Sequence, residues 1–141
     1  ILSEDGVDTP LLVEVGGEHA EGVLFVSHVS LTSSDPLVQG FVESYQEKFG
    51  TKPENGFAAL GYDTMKLIAE AIELAGSDDP EKIDENIGKV KDFQGVTGII
   101  NYEEGSRVPK KSVSVLVVEN GEFKTLASMA ASYTPDPKIA D

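Results

Sequence analysis

The chain has 141 residues, 40% of them hydrophobic, with no cysteine, no tryptophan and a formal net charge of -14 from 25 acids against 11 bases. This size and apolar content suit one ordinary globular domain and argue against disorder. The acidity repels phosphate backbones and anionic lipid surfaces, which excludes sequence-independent nucleic-acid binding, and no apolar run approaches the ~20 residues that cross a bilayer.

In chain order, residues 1 to 3 of "ILSEDGV" read as the end of a strand, and "SEDGVDTP" as a loop punctuated by Gly6 and Pro10. "LLVEVGG" predicts a short helix closed by Gly16 and Gly17. The uninterrupted apolar run Val23, Leu24, Phe25 and Val26 predicts a strand covered on both faces, as in a parallel sheet. A helix then starts where Asp35 accepts from first-turn amides and Pro36 takes the first helical position, where a missing N–H costs nothing. Its apolar residues Leu37, Val38, Phe41, Val42, Tyr45 and Phe49 keep helical spacing up to Gly50.

A longer helix follows over "FAALGYDTMKLIAEAIELAG", with Leu60, Thr64, Leu67, Ile68, Ala71, Ile72 and Ala75 as its inward stripe and Gly76 as its stop. The Asp-Pro start recurs at Asp79 and Pro80, with Ile83, Ile87 and Val90 facing inward. The period then changes: "FQGVTGIINYEEGSRVPKK" reads as a strand and hairpin-like turn, and "SVSVLVVENGEFKTL" as two strands joined at Asn120-Gly121, a strong hairpin signal. After Leu126 the composition loosens into what reads as a poorly ordered tail. Strands alternating with helices define an α/β class with helices layered on sheet.

The chain carries few chemical signatures. No spaced glycine motif opens a helix after a strand, so Gly16-Gly17 is a helix stop rather than a phosphate loop. Without cysteine there is no thiol nucleophile. His19 and His28 show no ligand spacing with the carboxylates, so no metal and no cofactor are expected. A Ser27-His28-acid constellation carries no weight among so many hydroxyls and acids, and His28 reads as a strand-end residue rather than a base. No catalytic constellation emerges, and no enzyme is expected. Asp5 stands at the carboxyl end of a strand, where open α/β sheets place ligands, and its carboxylate suits an ammonium group. Position alone leaves it open between that role and a plain turn acid. Phe57, after the "PENG" loop, is likewise either a ligand-packing aromatic or a core aromatic of its helix.

The strings "ILSEDGV", "GEHAEGVLFV", "DPLVQGFVESYQEKFGTKPENGFAALGYDTMKLIAEAI", "SDDPEKI", "FQGVTGIINYEEG" and "SVSVLVVENGEF" succeed one another as in the leucine/isoleucine/valine-binding family, which this chain resembles to about Phe123. "FAALGYD" and "FQGVTG" are the most diagnostic. These are extracytoplasmic solute-binding proteins of ABC transporters, with a type I periplasmic binding protein fold of two α/β lobes joined by three crossover strands. The resemblance implies that the chain is the C-terminal portion of such a protein. Residues 1–27 would belong to the C-terminal lobe, 28–108 to the N-terminal lobe, and 109–126 to return strands of the C-terminal lobe. Residues 127–141 would form a tail, and the crossovers would lie near "SHVS" and "RVPKK".

On the same resemblance, Asp5 matches the acid that holds a ligand's α-ammonium. The family commonly has glutamate there, one methylene longer. Phe57 matches an aromatic that packs on the ligand's side chain. The implied function is binding of a branched-chain or other hydrophobic amino acid, or a related small organic acid, by closure of the lobes. The implied partners are that small-molecule ligand, the missing N-terminal portion of the same protein and a membrane permease; the alternative is a sensory ligand-binding domain of the same fold. The expected location is periplasmic or extracellular, with a lipid anchor on the missing N-terminus. Both sheets would expose unpaired edges without the missing strands, so the 141 residues are expected to be stable only with a complementary fragment or as a self-associated substitute.

Overall fold

The computed structural model describes residues 1–103 and 106–130. In chain order the elements are β1 (Leu2–Ser3), α1 (Leu11–Gly16), β2 (Leu24–Ser27), α2 (Pro36–Phe49), α3 (Gly56–Ala75), α4 (Pro80–Ile87), β3 (Phe93–Gly95), β4 (Gly98–Ile100), β5 (Val113–Glu119) and β6 (Glu122–Met129). The helix boundaries follow local chemistry. Asp35 accepts from the Leu37 amide at 2.8 Å with Pro36 behind it, and Asp79 accepts from the Glu81 amide at 3.0 Å with Pro80 behind it. Asn55 caps α3 through the Phe57 amide at 3.2 Å. The left-handed glycines Gly50 and Gly76 close α2 and α3.

Four strands form one sheet in the order β1-β2-β5-β6, and β3-β4 form a separate hairpin. β1 runs parallel to β2, while β2-β5 and β5-β6 are antiparallel, so the parallel pairing is confined to the first pair. Phe25 and Ser27 of β2 are buried and Leu24 and Val26 half-buried, which gives the strand one well-covered face and one partly covered face. The β5-β6 turn uses Asn120 and Gly121, both at positive φ, and the Glu21 carboxylate accepts from both turn amides, at 3.0 and 2.7 Å. β6 continues past Leu126 to Met129, which pairs with Val113. Residues 127–129 are therefore ladder rather than tail, because pairing to a long β5 carries small residues into the sheet regardless of propensity. Residues 131–141, the rest of the expected tail, lie outside the described residues.

The core is divided. Ala20, Val23, Phe25, Leu116 and Val118 pack together on the four-stranded sheet, with the Phe123 ring edge-on to Phe25 at 5.0 Å. A second cluster joins Val29, Val38, Phe41, Ala59 and Val96, and a third Leu67, Val90, Phe93 and Ile100. Each buries apolar side chains at roughly 25 cal/mol per Å² removed from water.

The inward face of α3 differs from the expected stripe. Ala59, Asp63, Leu67 and Ala71 are buried, whereas Thr64 is exposed and donates back to the Leu60 carbonyl at 2.7 Å. Asp63 takes the inner position because its carboxylate accepts from the Val96 amide (2.8 Å), the Thr97 amide (2.8 Å) and the Thr97 hydroxyl (2.7 Å), closing the β3-β4 turn. A Cβ at Gly95 would lie 2.6 Å from Asp63 Oδ2, so the turn packs on the carboxylate with no room for a side chain. Burial pushes the Lys111 ammonium below its usual pKa, and the nearby Asp63 charge draws it partly back. Replacing Asp63 with Ala orphans two buried amides, and a loss of about 3–5 kcal/mol in chemical denaturation is expected. A loss under about 1 kcal/mol would contradict this role.

Candidate functional site

The site is assembled where β1 and β2 end. After Ser3 the chain enters a single 3-10 turn, Asp5–Val7, closed by the Asp8 amide on the Asp5 carbonyl at 3.0 Å. This presents the Asp5 side chain beyond the carboxyl end of β1, and its Oδ2 lies 2.8 Å from Nε2 of His28, the residue after β2. The Phe57 ring, from the first turn of α3, sits 5.9 Å from the imidazole at an interplanar angle of 58°. Phe57 is 46% exposed and is therefore not a core aromatic of α3. The Asp5 and His28 side chains are 38% and 27% exposed. The two residues singled out from sequence thus belong to one partly open surface, and His28, set aside as a strand-end residue, joins them.

A second acid fixes this surface from behind. Asp8 is buried, and its Oδ2 accepts from the Ser27 hydroxyl at 2.7 Å and from the Gly56 amide at 3.1 Å. It thereby ties the end of β2 to the start of α3, with His28 and Phe57 each one residue beyond the tie. A Cβ on Gly56 would meet Ser27 Oγ at 3.0 Å and Asp8 Oδ2 at 3.2 Å, so this approach favours glycine. The neighbouring Thr9 hydroxyl donates to Glu54 at 3.1 Å, a second link between the turn that carries Asp8 and the residues leading into α3. Asp8 escaped the sequence reading because nothing near it in the chain marks it; both of its partners are remote.

Two clefts lie nearby. One of about 340 Å³ is lined by Asp8, Val29, Leu31, Gln39, Glu54 and Phe123 among others, and one of about 190 Å³ by His28, Ser30, Thr97, Ser112 and Ser114 among others. Neither is lined by Asp5 or Phe57. The carboxylates of the larger cleft are already engaged, Asp8 by Ser27 and Gly56 and Glu54 by Thr9. Asp5 keeps an open side, which makes its surface the better candidate for a charged ligand. Among the described residues there is no group of three or more His, Asp or Glu side chains that could hold a metal ion, and no helix long and apolar enough to cross a membrane.

Asp5 beyond the carboxyl end of β1 and Phe57 at the start of α3 flank His28 at the end of the sheet where open α/β folds place their ligands. The family model for periplasmic binding proteins matches residues 2–122, and the chain belongs to that family. Its fold is that of the type I members. It is similar to the leucine-binding protein LivK of Thermotoga maritima, with a TM-score of 0.79 and 45% identity over 92% of this chain and 37% of that one. It is also similar to LivJ of Streptococcus pneumoniae, solved in complex with isoleucine, with a TM-score of 0.76 and 29% identity over 93% and 36% of the two chains. A curated relative, the leucine-, isoleucine-, valine-, threonine- and alanine-binding protein of Pseudomonas aeruginosa, is 26% identical over 73% of this chain and 27% of its own length. The chain spans under a third of that relative, in agreement with the resemblance to part of a longer protein.

Replacing Asp8 with Ala leaves the buried Gly56 amide without its acceptor and the Ser27 hydroxyl with the Val29 carbonyl alone. Urea unfolding is expected to show a loss of about 1–3 kcal/mol, smaller for Asp8→Asn, which keeps one acceptor oxygen. An unchanged midpoint for Asp8→Ala would contradict the tie.

Proposed function

We propose that this chain forms part of an extracytoplasmic solute-binding protein of an ABC transporter, which takes a branched-chain or other hydrophobic amino acid between two lobes. Residues 1–27 and 109–126 are assigned to one lobe and 28–108 to the other. The separate β3-β4 hairpin and the divided core support that assignment. The observation that carries the reading is the gathering of Asp5 and Phe57 around His28, in a chain whose relatives are named for binding leucine, isoleucine and valine.

In this mechanism the Asp5 carboxylate accepts charge-assisted hydrogen bonds from the ligand's ammonium, and the exposed Phe57 face packs on its apolar side chain. Asp5 is assigned to the first lobe and Phe57 to the second, so a ligand touching both favours the closed arrangement over the open one. The surface is one wall of the pocket; the facing wall, with the groups that hold the ligand's carboxylate, comes from the remainder of the protein. Delivery to a membrane permease follows closure, and no bond is made or broken in the ligand. The location is periplasmic or extracellular, with a lipid anchor on the remainder of the protein.

The test is calorimetric titration of the intact protein with leucine and with 4-methylpentanoate, its deaminated counterpart. Leucine is expected to bind at least about tenfold more tightly, the worth of one charge-assisted hydrogen bond, and Asp5→Asn to remove most of that difference. Equal affinities for the two compounds in the unmodified protein would overturn the reading.

A further inference from the structure

We propose that His28 is a third residue of the ligand site, a positioning residue that holds the Asp5 carboxylate by one oxygen and leaves the other for the ligand's ammonium. The inference rests on the reading of Asp5 as the ammonium-binding acid.

The argument begins with which atoms are engaged. An ionised carboxylate only accepts, so the 2.8 Å contact between His28 Nε2 and Asp5 Oδ2 requires the proton on Nε2, whether the ring is neutral or charged. Nδ1 is buried and has no partner among the described residues, so the Asp5 contact is the ring's single polar anchor there. His28 is in turn the one hydrogen-bond partner of the Asp5 carboxylate among the described residues, and it engages Oδ2 alone. Asp5 Oδ1 is left to accept from a ligand.

The imidazole is itself held. Its backbone follows Ser27, which is 2% exposed and locked to Asp8 at 2.7 Å, with the Val29 carbonyl within 3.1 Å of the same hydroxyl. The ring is flanked by Phe57 at 5.9 Å. The acid on a short turn is thus referred, through His28, to the rigid end of β2 and to the aromatic that packs on the ligand. A carboxylate fixed before binding loses less rotamer freedom when the ligand arrives, and that saving appears as affinity. It applies only to ligands that use the carboxylate, so His28 contributes to selection for an ammonium group rather than to binding in general. No local pattern in the sequence signals this, because Asp5 and His28 are separated by the whole of α1 and β2.

The experiment is titration of leucine and 4-methylpentanoate into the intact protein carrying His28→Ala, His28→Gln, His28→Asn or Asp5→Asn. His28→Ala is expected to weaken leucine on the order of tenfold more than it weakens 4-methylpentanoate, so that the ratio of affinities collapses. His28→Gln, whose amide nitrogen reaches the position of Nε2, restores the ratio, and the shorter His28→Asn does not. Equal weakening of both ligands, or a full ratio in His28→Ala, overturns the proposal. If His28→Ala does not fold, the pair of amide variants decides: a ratio kept by Gln and lost by Asn supports the role, and equal ratios overturn it. Asp5→Asn separates the two possible failures. A ratio lost there but kept in His28→Ala overturns the role of His28 alone, and a ratio kept in both overturns the reading of Asp5 as well.

Discussion

The arrangement depends on one buried carboxylate. Asp8 joins a strand end to a helix start, with Ser27 on one side and the Gly56 amide on the other. Without that acceptor the helix N-terminal amide of Gly56 would be left buried and unpaired, a penalty of about 1–3 kcal/mol, and the Ser27 hydroxyl would keep only the Val29 carbonyl. With it, two segments remote in sequence and resting on different apolar clusters are held in one register. The close approach at Gly56 is part of the same constraint, because a Cβ there meets both Ser27 and Asp8.

The candidate site is a consequence of that junction. His28 follows Ser27 and Phe57 follows Gly56, so fixing the pair behind fixes the pair in front. Asp5 sits on a turn that leads directly into Asp8, and it reaches His28 from there. The proposed ligand surface therefore has an inner layer of buried hydrogen bonds gathered on Asp8 Oδ2 and an outer layer whose polar capacity is only partly used. A carboxylate with an open oxygen beside an exposed aromatic face is suited to a ligand with an ammonium and an apolar body.

How much of this was legible in the sequence divides along the range of the interactions. The starts of α2 and α4 were readable because Asp35-Pro36 and Asp79-Pro80 act on amides two residues away. The Asn120-Gly121 turn was readable because the residues themselves favour positive φ. Asp63 was not, since a polar residue within a helical stripe reads as solvent-facing until the β3-β4 turn that needs its oxygens is placed beside it. The same holds for Asp8 and His28, whose partners lie an element or more away. The extent of β6 was hidden for a related reason, because its last residues are held by the ladder with β5 rather than by their own propensity. Asp5 and Phe57 were reached by strand-end position and by resemblance to a family. Their common neighbour, which brings them onto one surface, was reached only through the structure.

A crystal structure of the intact protein with bound leucine tests the proposed chemistry most directly. The ligand's ammonium nitrogen is expected within about 2.7–3.2 Å of Asp5 Oδ1, with its side chain against the Phe57 ring and His28 still on Oδ2. A leucine seated elsewhere, or one whose ammonium is held by other groups while Asp5 faces solvent, would contradict it.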